Sequence, residues 1–436
     1  MKFFYEECIK ASAEVIRSGK FSLYGENPAS LDEAAQNYHK IFVEGKGISE
    51  VIFLRDYVYP GIAHNMGKWH EPNQLAVEYG GRCCPTLDLV ESYAVIDPQT
   101  RMGTYDVKLV TTNDGNENYA TNGFNPNVDY KQYDDFATIF ANRDPRLYAS
   151  VILPNTQWGG QTILIQGGLR KQDKSVVWQA NDSYVFDGVT YYGKGDSDEG
   201  RYSGWVDNRA NGTRSGFLLK KYLKGSGDQV WDQVVTPFVD LRYAEVLLNY
   251  AEAKAELGEM DAAVWDQTIA PLRSRAGVTS VIPAKADPYM EAYFLNTVTD
   301  KWILEVRRER GIELCLEMGL RWDDDMRWHM GDLLTSDNNP WTGIWIGNTG
   351  YTYDFTGQST DDNGDPVPDF YIRPGEDTEH SIAISNTGAN QTFSLNGEGN
   401  IVWEYRRVWS EKKYLRPIPL TAITRNPNLE QNALWK

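Results

Sequence analysis

At 436 residues the chain is long enough to bury a large core without staples, and its 4 Cys, two of them adjacent at Cys83 and Cys84, show neither a disulfide framework nor zinc-ligand spacing. Its 61 acidic against 43 basic residues give a formal charge of -18, which argues against binding a phosphate backbone and slightly favours a neutral ligand over a polyanionic one. No stretch approaches the ~20 apolar residues of a membrane-spanning helix, whereas 14 Trp and 26 Tyr, many in loop-like segments, form an excess that asks for a reason.

In chain order, residues 3–21 read as a helix with Cys8, Ala11, Val15 and Ile16 on one face and an end at Ser18-Gly19. A second helix at 31–42 turns Ala34, Ala35, Tyr38 and Phe42 inward, so the two make a helical hairpin. Residues 50–55 look extended, 57–84 form a long Gly- and Pro-punctuated loop carrying Tyr59, His64, Trp69 and His70, and 85–93 return to helix. Loops of that length in a compact domain are usually functional or disordered. After a loop at 107–127 and a short helix at 133–140, extended runs at 148–153, 162–165 and 175–178 alternate with Trp158-Gly159-Gly160, Tyr191-Tyr192-Gly193 and Tyr202-Ser203-Gly204-Trp205. This is an aromatic, glycine-rich excursion between two helical hairpins.

The second hairpin starts at Thr236 as cap and Pro237 as first helical residue, with apolar positions 241, 244, 248, 251 and 255 in one stripe and Gly258 as left-handed end. Its partner helix runs from an Asp261 cap to about Arg275 and Gly277, kinked by Pro271. Ala244, Ala251 and Ala255 permit the close approach seen in tetratricopeptide-like repeats. A third helical piece covers 303–328, and residues 336–400 are again loop-rich before a tail through Pro417-Ile418-Pro419.

Glu309, Glu313 and Glu317 fall four apart, on one helical face, with Arg310, Arg321 and Arg327 nearby. Either an acid/base site or an ion-pair network locking the helix to its neighbour has that pattern, and the matching cations favour the network. Asp323-Asp324-Asp325 lack the alternation of a hard-cation loop and read as solvent-facing acids with Arg327 as partner. The five His show no metal-ligand spacing, no Ser sits in a Gly-x-Ser-x-Gly elbow, and Gly193-Lys194-Gly195 lacks the context of a phosphate cradle. The loop aromatics point elsewhere. A sugar ring has an apolar C–H face and a rim of hydroxyls, so a flat aromatic beside amide and carboxylate groups suits it. Trp158, Trp178, Tyr192 and Trp205 with Asn181, Asp182, Asp207, Asn208 and Arg209 supply that mixture, Trp69 on the long loop joins them, and Trp178 and Trp205 lead the set. Each such Trp has core burial as its competing role.

The segment Glu309-Arg310-Gly311-Ile312-Glu313-Leu314-Cys315-Leu316-Glu317-Met318-Gly319-Leu320-Arg321-Trp322 follows Leu241-Arg242-Tyr243-Ala244-Glu245-Val246 and Tyr250-Ala251-Glu252-Ala253. It precedes Tyr414-Leu415-Arg416-Pro417-Ile418-Pro419 and Asn426-Pro427-Asn428-Leu429-Glu430-Gln431-Asn432. In that order these motifs resemble the SusD/RagB family, with Asp144-Pro145-Arg146-Leu147 and 216–222 as weaker matches upstream. The resemblance implies a mainly α fold, a tetratricopeptide-like α-superhelix with long loop insertions and a few short β-hairpins. It implies one domain over 1–436, divided into a helical hairpin and long loop (1–84), a loop-rich excursion with the ligand site (85–235), the core hairpin and motif helix (236–328), and a loop-rich C-terminal region (329–436).

It further implies a surface-exposed outer-membrane lipoprotein that captures an oligosaccharide or polysaccharide for a SusC-like TonB-dependent transporter. No catalysis, cofactor, metal or nucleic acid is expected. Family members usually open with a lipoprotein signal, a lipidated Cys and a first group of helices, and Met1-Lys2-Phe3-Phe4-Tyr5 looks like the middle of that pattern. The expectation is therefore an N-terminal truncation that leaves about three of four helical units. Asp325 stands where the family tends to have Leu. From residues alone, a glycan-degrading α/α-type enzyme, which needs two opposed carboxylates at a cleft, and a peptide-binding helical-repeat scaffold remain as alternatives.

Overall fold

The computed structural model describes residues 1–76, 79–109, 136–165, 168–173, 175–177, 182–192, 203, 212–213, 215–227, 229–317, 319–335, 337–339, 342–345, 351–354, 393–395, 400–403, 408–426 and 428–435. Helices dominate and the strands are short. The Tyr243–Glu256 helix is the hub, with the Lys2–Ser18 helix along one side and the Lys301–Glu313 helix along another. Leu247, Leu248, Ala251 and Ala255 from the hub meet Trp265, Ile269, Leu272 and Val306 in one apolar core, and the three alanines of the predicted stripe are all buried there.

The hub begins later than the local sequence suggests. Residues Phe238–Arg242 form a strand paired antiparallel with Val51–Arg55, Leu54 opposite Val239 and Arg55 opposite Phe238. The helix starts at Tyr243, whose amide donates to the Glu50 carbonyl at 2.8 Å. Thr236 and Pro237 have a start signal's chemistry, but Phe238, Val239 and Leu241 suit a strand and a partner nearly two hundred residues away was available. The antiparallel partner of the hub is interrupted. Asp261 caps the first segment, Ala262–Gln267, by accepting from the Val264 amide at 2.9 Å. A break at Thr268, three residues before Pro271, leads into Ile269–Arg275, as the lost ladder bond and the ring's clash with the preceding turn require.

Two further expectations are corrected. The opening helix ends at Gly19 (φ 59) as read, but its inward face holds Ser12 while Ala11 is exposed. It packs on the hub, and Leu31–Glu44 packs on Pro145–Ser150, so the first two helices do not form a hairpin with each other. The motif helix stops at Glu313. Leu316 adopts a left-handed conformation (φ 61), Glu317 lies in the turn, and a separate helix covers Leu320–Arg327. The loop-rich regions also meet: Tyr351–Asp354 runs parallel to Gly168–Arg170, which pairs with Val176–Val177 in a three-stranded sheet.

Candidate ligand-binding surface

The acids flagged in the sequence are buried and paired, but by other partners than the near neighbours in sequence. Glu313 is fully buried, with Arg146 Nη1 2.8 Å from Oε2, Arg242 Nη1 2.7 Å from Oε1, and Arg275 also on Oε1. Glu309 takes Arg146 (2.5 Å) and Arg273 (2.9 Å), and Glu317 takes Arg242 (2.8 Å) and Lys221 (2.7 Å). Glu50 closes the cluster through Arg242 at 2.7 Å and Arg275 at 2.8 Å. Burial alone would raise the Glu313 carboxyl, but Arg275, Arg242 and Arg146 hold it well below its usual value. Arg310, Arg321 and Arg327 serve the next layer instead: Arg310 and Arg327 meet Asp324 at 2.8 and 2.6 Å, and Arg321 meets Asp325 at 3.2 Å. Asp324 and Asp325 are buried rather than solvent-facing, and only Asp323 of the three is exposed. Each of the buried carboxylates is engaged by guanidinium or ammonium groups, and among the described residues no group of His, Cys, Asp and Glu could hold a metal ion.

The loop aromatics assemble at a different place. The short helix Met66–His70 puts Trp69 on the long loop against Tyr79 and Trp231, with ring centroids 5.2 and 5.1 Å away, and Tyr79 and Trp231 are themselves 5.1 Å apart. All three pairs are edge-to-face, at 88°, 80° and 83°. The Arg82 guanidinium covers one face of Trp69 at 3.9 Å, Lys68 Nζ lies 5.2 Å from the Tyr79 ring, and Trp231 is 41% exposed. Beside Trp231, Asp232 (φ 53) is fixed by Asn65, which donates from Nδ2 to the carboxylate at 2.7 Å and accepts the Asp232 amide on Oδ1 at 2.5 Å. The result is an exposed indole with flat neighbours and a rim of amide, carboxylate, ammonium and guanidinium groups.

Buried Glu71 and half-buried Gln74 and His64 brace this surface through hydrogen bonds. Glu71, fully buried, accepts Trp158 Nε1 at 2.6 Å and the Gly225 amide at 2.7 Å, while its carbonyl accepts the Gly81 amide at 2.9 Å. Gly80 (φ 97) passes so close that a Cβ there would sit 2.3 Å from the Glu71 carbonyl oxygen. Gln74 donates to the Thr162 carbonyl (2.9 Å) and accepts the Leu164 amide (2.7 Å), and its own amide donates to Ser203 Oγ at 3.2 Å. His64 bonds Thr236 O at 2.9 Å and its amide reaches Val234 O at 3.0 Å. Segments distant in sequence thus converge on residues 64–81.

Of the residues singled out in the sequence, Trp69 lies in the patch. Trp158 is half-buried and tied to it through Glu71, with the His39 ring centroid 5.6 Å and Lys220 Nζ 5.0 Å from its ring centroid. Burial and Lys220 push His39 down to about 4, and burial lowers Lys220 to about 8. Tyr192 ends a separate hairpin, Ser183–Phe186 with Val189–Tyr192, opposite Ser183. Asp182 is exposed just before that hairpin. Trp178, Trp205, Asn181, Asp207, Asn208 and Arg209 lie outside the described residues, as does Trp341. Tyr79, Arg82 and Trp231 were not singled out. Trp231 follows Gly225-Ser226-Gly227, the same loop-tryptophan signal that marked Trp158.

The fold and surface define a helical scaffold that presents aromatic loops. Residues 49–435 match the profile of the SusD family, and the chain belongs to that family. Comparison with curated proteins finds no match. Among solved structures, a SusD-like protein from Bacteroides fragilis is 21% identical over 98% of this chain and 61% of its own, with a TM-score of 0.54. A SusD-like carbohydrate-binding protein from the same organism is 21% identical over 85% of this chain and 56% of its own, with a TM-score of 0.53. The chain therefore spans about three fifths of the length of these relatives, and at this identity the likeness establishes the fold.

Proposed function

We propose that this chain is a noncatalytic glycan-binding protein whose ligand, a neutral oligosaccharide or polysaccharide, stacks on Trp231 and the adjoining Trp69–Tyr79 surface. The observation that carries this reading is the aromatic triad of exposed Trp231 with half-buried Trp69 and Tyr79, on a base braced by Glu71 and Gln74. A sugar's C–H face covers the indole, and Asn65, Asp232, Lys68 and Arg82 stand at the rim for its hydroxyls. A rigid base supports affinity, because a platform ordered only on binding gives part of it up. Tyr192 and, outside the described residues, Trp178, Trp205, Asn181 and Asp207 are the further glycan contacts this proposal takes from the sequence, and Trp158 is tied to the patch through Glu71. The net charge of -18 suits a neutral ligand. The paired state of Glu309, Glu313 and Glu317 leaves those acids no part in hydrolysis.

Membership of the SusD family and the carbohydrate-binding relative support the same reading. The rest of the proposal is what the family resemblance of the sequence motifs implies: a single domain, anchored as a lipoprotein on the outer surface of the outer membrane, that delivers glycan to a SusC-like TonB-dependent transporter. Affinity electrophoresis through a panel of neutral polysaccharides, with reducing ends assayed in parallel, tests it. Retardation by at least one glycan without new reducing ends is expected, and release of reducing ends would overturn the noncatalytic reading.

A further inference from the structure

A cavity of about 610 Å³, in the size range of small-ligand sites, opens where the Lys301–Glu313, Leu87–Ser92 and Pro288–Tyr293 helices meet. Its walls are mainly apolar, with Leu89, Phe294, Ile312 and Leu316, and one side is a flat stack of Tyr289 on Tyr293, 6.4 Å between centroids at 22°. Most of the charged groups around it are matched, the exception being Arg307, which lies 3.4 Å from Glu256 and keeps Nε and Nη1 buried without a hydrogen-bond partner among the described residues. Arg321 faces Asp325 at 3.2 Å and donates to the Tyr293 hydroxyl at 3.2 Å; Arg308 bonds Glu305 at 2.6 Å and also reaches Asp287 and Asp106.

Two backbone features single this cavity out. Gly311 lies inside the buried motif helix, where glycine is the weakest former after proline, yet a Cβ built there meets nothing nearer than Arg321 Nη1 at an ordinary 3.7 Å. Packing does not demand a glycine; what its missing side chain does is leave volume to the cavity, whose wall it forms. Leu316, also in the wall, is held left-handed at φ 61, and Leu295, next to the wall residue Phe294, at φ 55. They are the two aliphatic residues with positive φ among the described residues, and such strain persists where surrounding structure imposes it, often at ligand sites.

We propose that this cavity is a binding site for a neutral small molecule with a flat, mainly apolar body, of the phenol or aryl ester class, held between the Tyr289–Tyr293 stack and the Gly311 face of the motif helix. A flat ring matches the tyrosine wall. Arg307, its charge already opposed by Glu256, offers N–H donors to one ligand oxygen, and a sugar would turn its other hydroxyls toward apolar walls that cannot bond them. The site is independent of the glycan platform.

The test titrates methyl 4-hydroxycinnamate into the whole chain by calorimetry, with saturation-transfer NMR as a second readout. Saturable binding is expected in the wild type and unchanged in Trp231→Ala. Gly311→Leu should weaken it at least tenfold with the melting temperature kept or raised, and Gly311→Ala by a smaller factor; if the leucine variant does not fold, the alanine variant carries the comparison. Absence of saturable binding, or binding indifferent to both Gly311 substitutions, overturns the proposal. Loss in Trp231→Ala alone would place the aryl group on the platform instead, and competition by cellobiose at a Gly311-sensitive site would make the cavity a sugar site.

Discussion

Replacing Glu313 by Gln keeps the side chain's shape and removes one charge from the centre of the ion cluster. The wild-type carboxylate receives Arg146 and Arg242 at 2.8 and 2.7 Å and Arg275 as well, with no solvent access. The amide would turn an N–H toward guanidinium N–H groups and leave Arg275, otherwise paired with Glu50, short of a counterion. Breaking a buried pair by removing one partner costs about 3–5 kcal/mol. An unfolding entropy of roughly 2 cal/mol/K per residue gives about 0.9 kcal/mol/K for a chain of 436 residues, so Tm should fall by about 3–6 °C if the chain melts as one unit. The loss has a defined pH dependence. Because the folded-state carboxyl is held well below its ordinary 4.5, its contribution is present above about pH 4.5 and disappears as pH falls through the folded value. Scanning calorimetry of both proteins between pH 7.5 and 3.5 should show the gap in Tm closing on the acid side, with glycan affinity of the folded variant unchanged at neutral pH. Loss of glycan binding at unchanged Tm would refute this reasoning and make Glu313 a functional group.

Trp231→Ala should weaken glycan binding by about ten- to a hundredfold, by analogy with the 1–3 kcal/mol of a base stacked on an aromatic, with Tm nearly unchanged; full affinity by calorimetry would move the platform elsewhere. Trp158→Phe removes the donor to Glu71 Oε2 and should lower stability by about 1–3 kcal/mol while glycan affinity changes less than in Trp231→Ala, as a thermal melt and a titration would show. Asp325 is pushed up to about 6 by burial, in opposition to Arg321, so the folded state favours its protonated form and stability is lost as pH rises through about 6. Asp325→Leu should therefore raise Tm by up to about 3 °C at pH 7.5, an upper bound from a shift worth about 3 kcal/mol, and the gain should fade below about pH 5; a lowered Tm at pH 7.5 would show that the Arg321 pair outweighs the burial.

The parts of the scaffold legible in the sequence are those built from local signals. The alanine stripe of the hub, the Asp261 cap and the break before Pro271 each depend on residues within about a turn of one another, and each appears in the structure. What failed was set by distant chain. The strand at Phe238–Arg242 exists because Val51–Arg55 lies beside it, and no local pattern names that partner. The opening helix carries a plausible hairpin face, yet it finds the hub, which covers it better than the helix that follows it in sequence. The same holds for charge. Helical spacing correctly suggested that Glu309 and Glu313 were paired, but it offered only cations on the same segment, whereas Arg146, Arg242, Arg273 and Arg275 come from three other elements.

The ligand surface was legible in kind and not in place, and the reason is physical. An exposed indole and a buried one have the same sequence signature, Trp among Gly and polar residues, because both need a turn to present a large ring. The difference lies in what occupies the ring's faces and its N–H. Trp158 satisfies its N–H on a carboxylate buried within the protein and has His39 and Lys220 around its ring, so it is spent inside the structure. Trp231 packs steeply against Trp69 and Tyr79, at 80° and 83°, and remains 41% exposed beside a fixed Asn65–Asp232 pair, so part of its indole stays available to a ligand. Glu71 is what ties the two regions together: it accepts Trp158 and the Gly225 amide on its carboxylate, next to the Met66–His70 helix that carries Trp69.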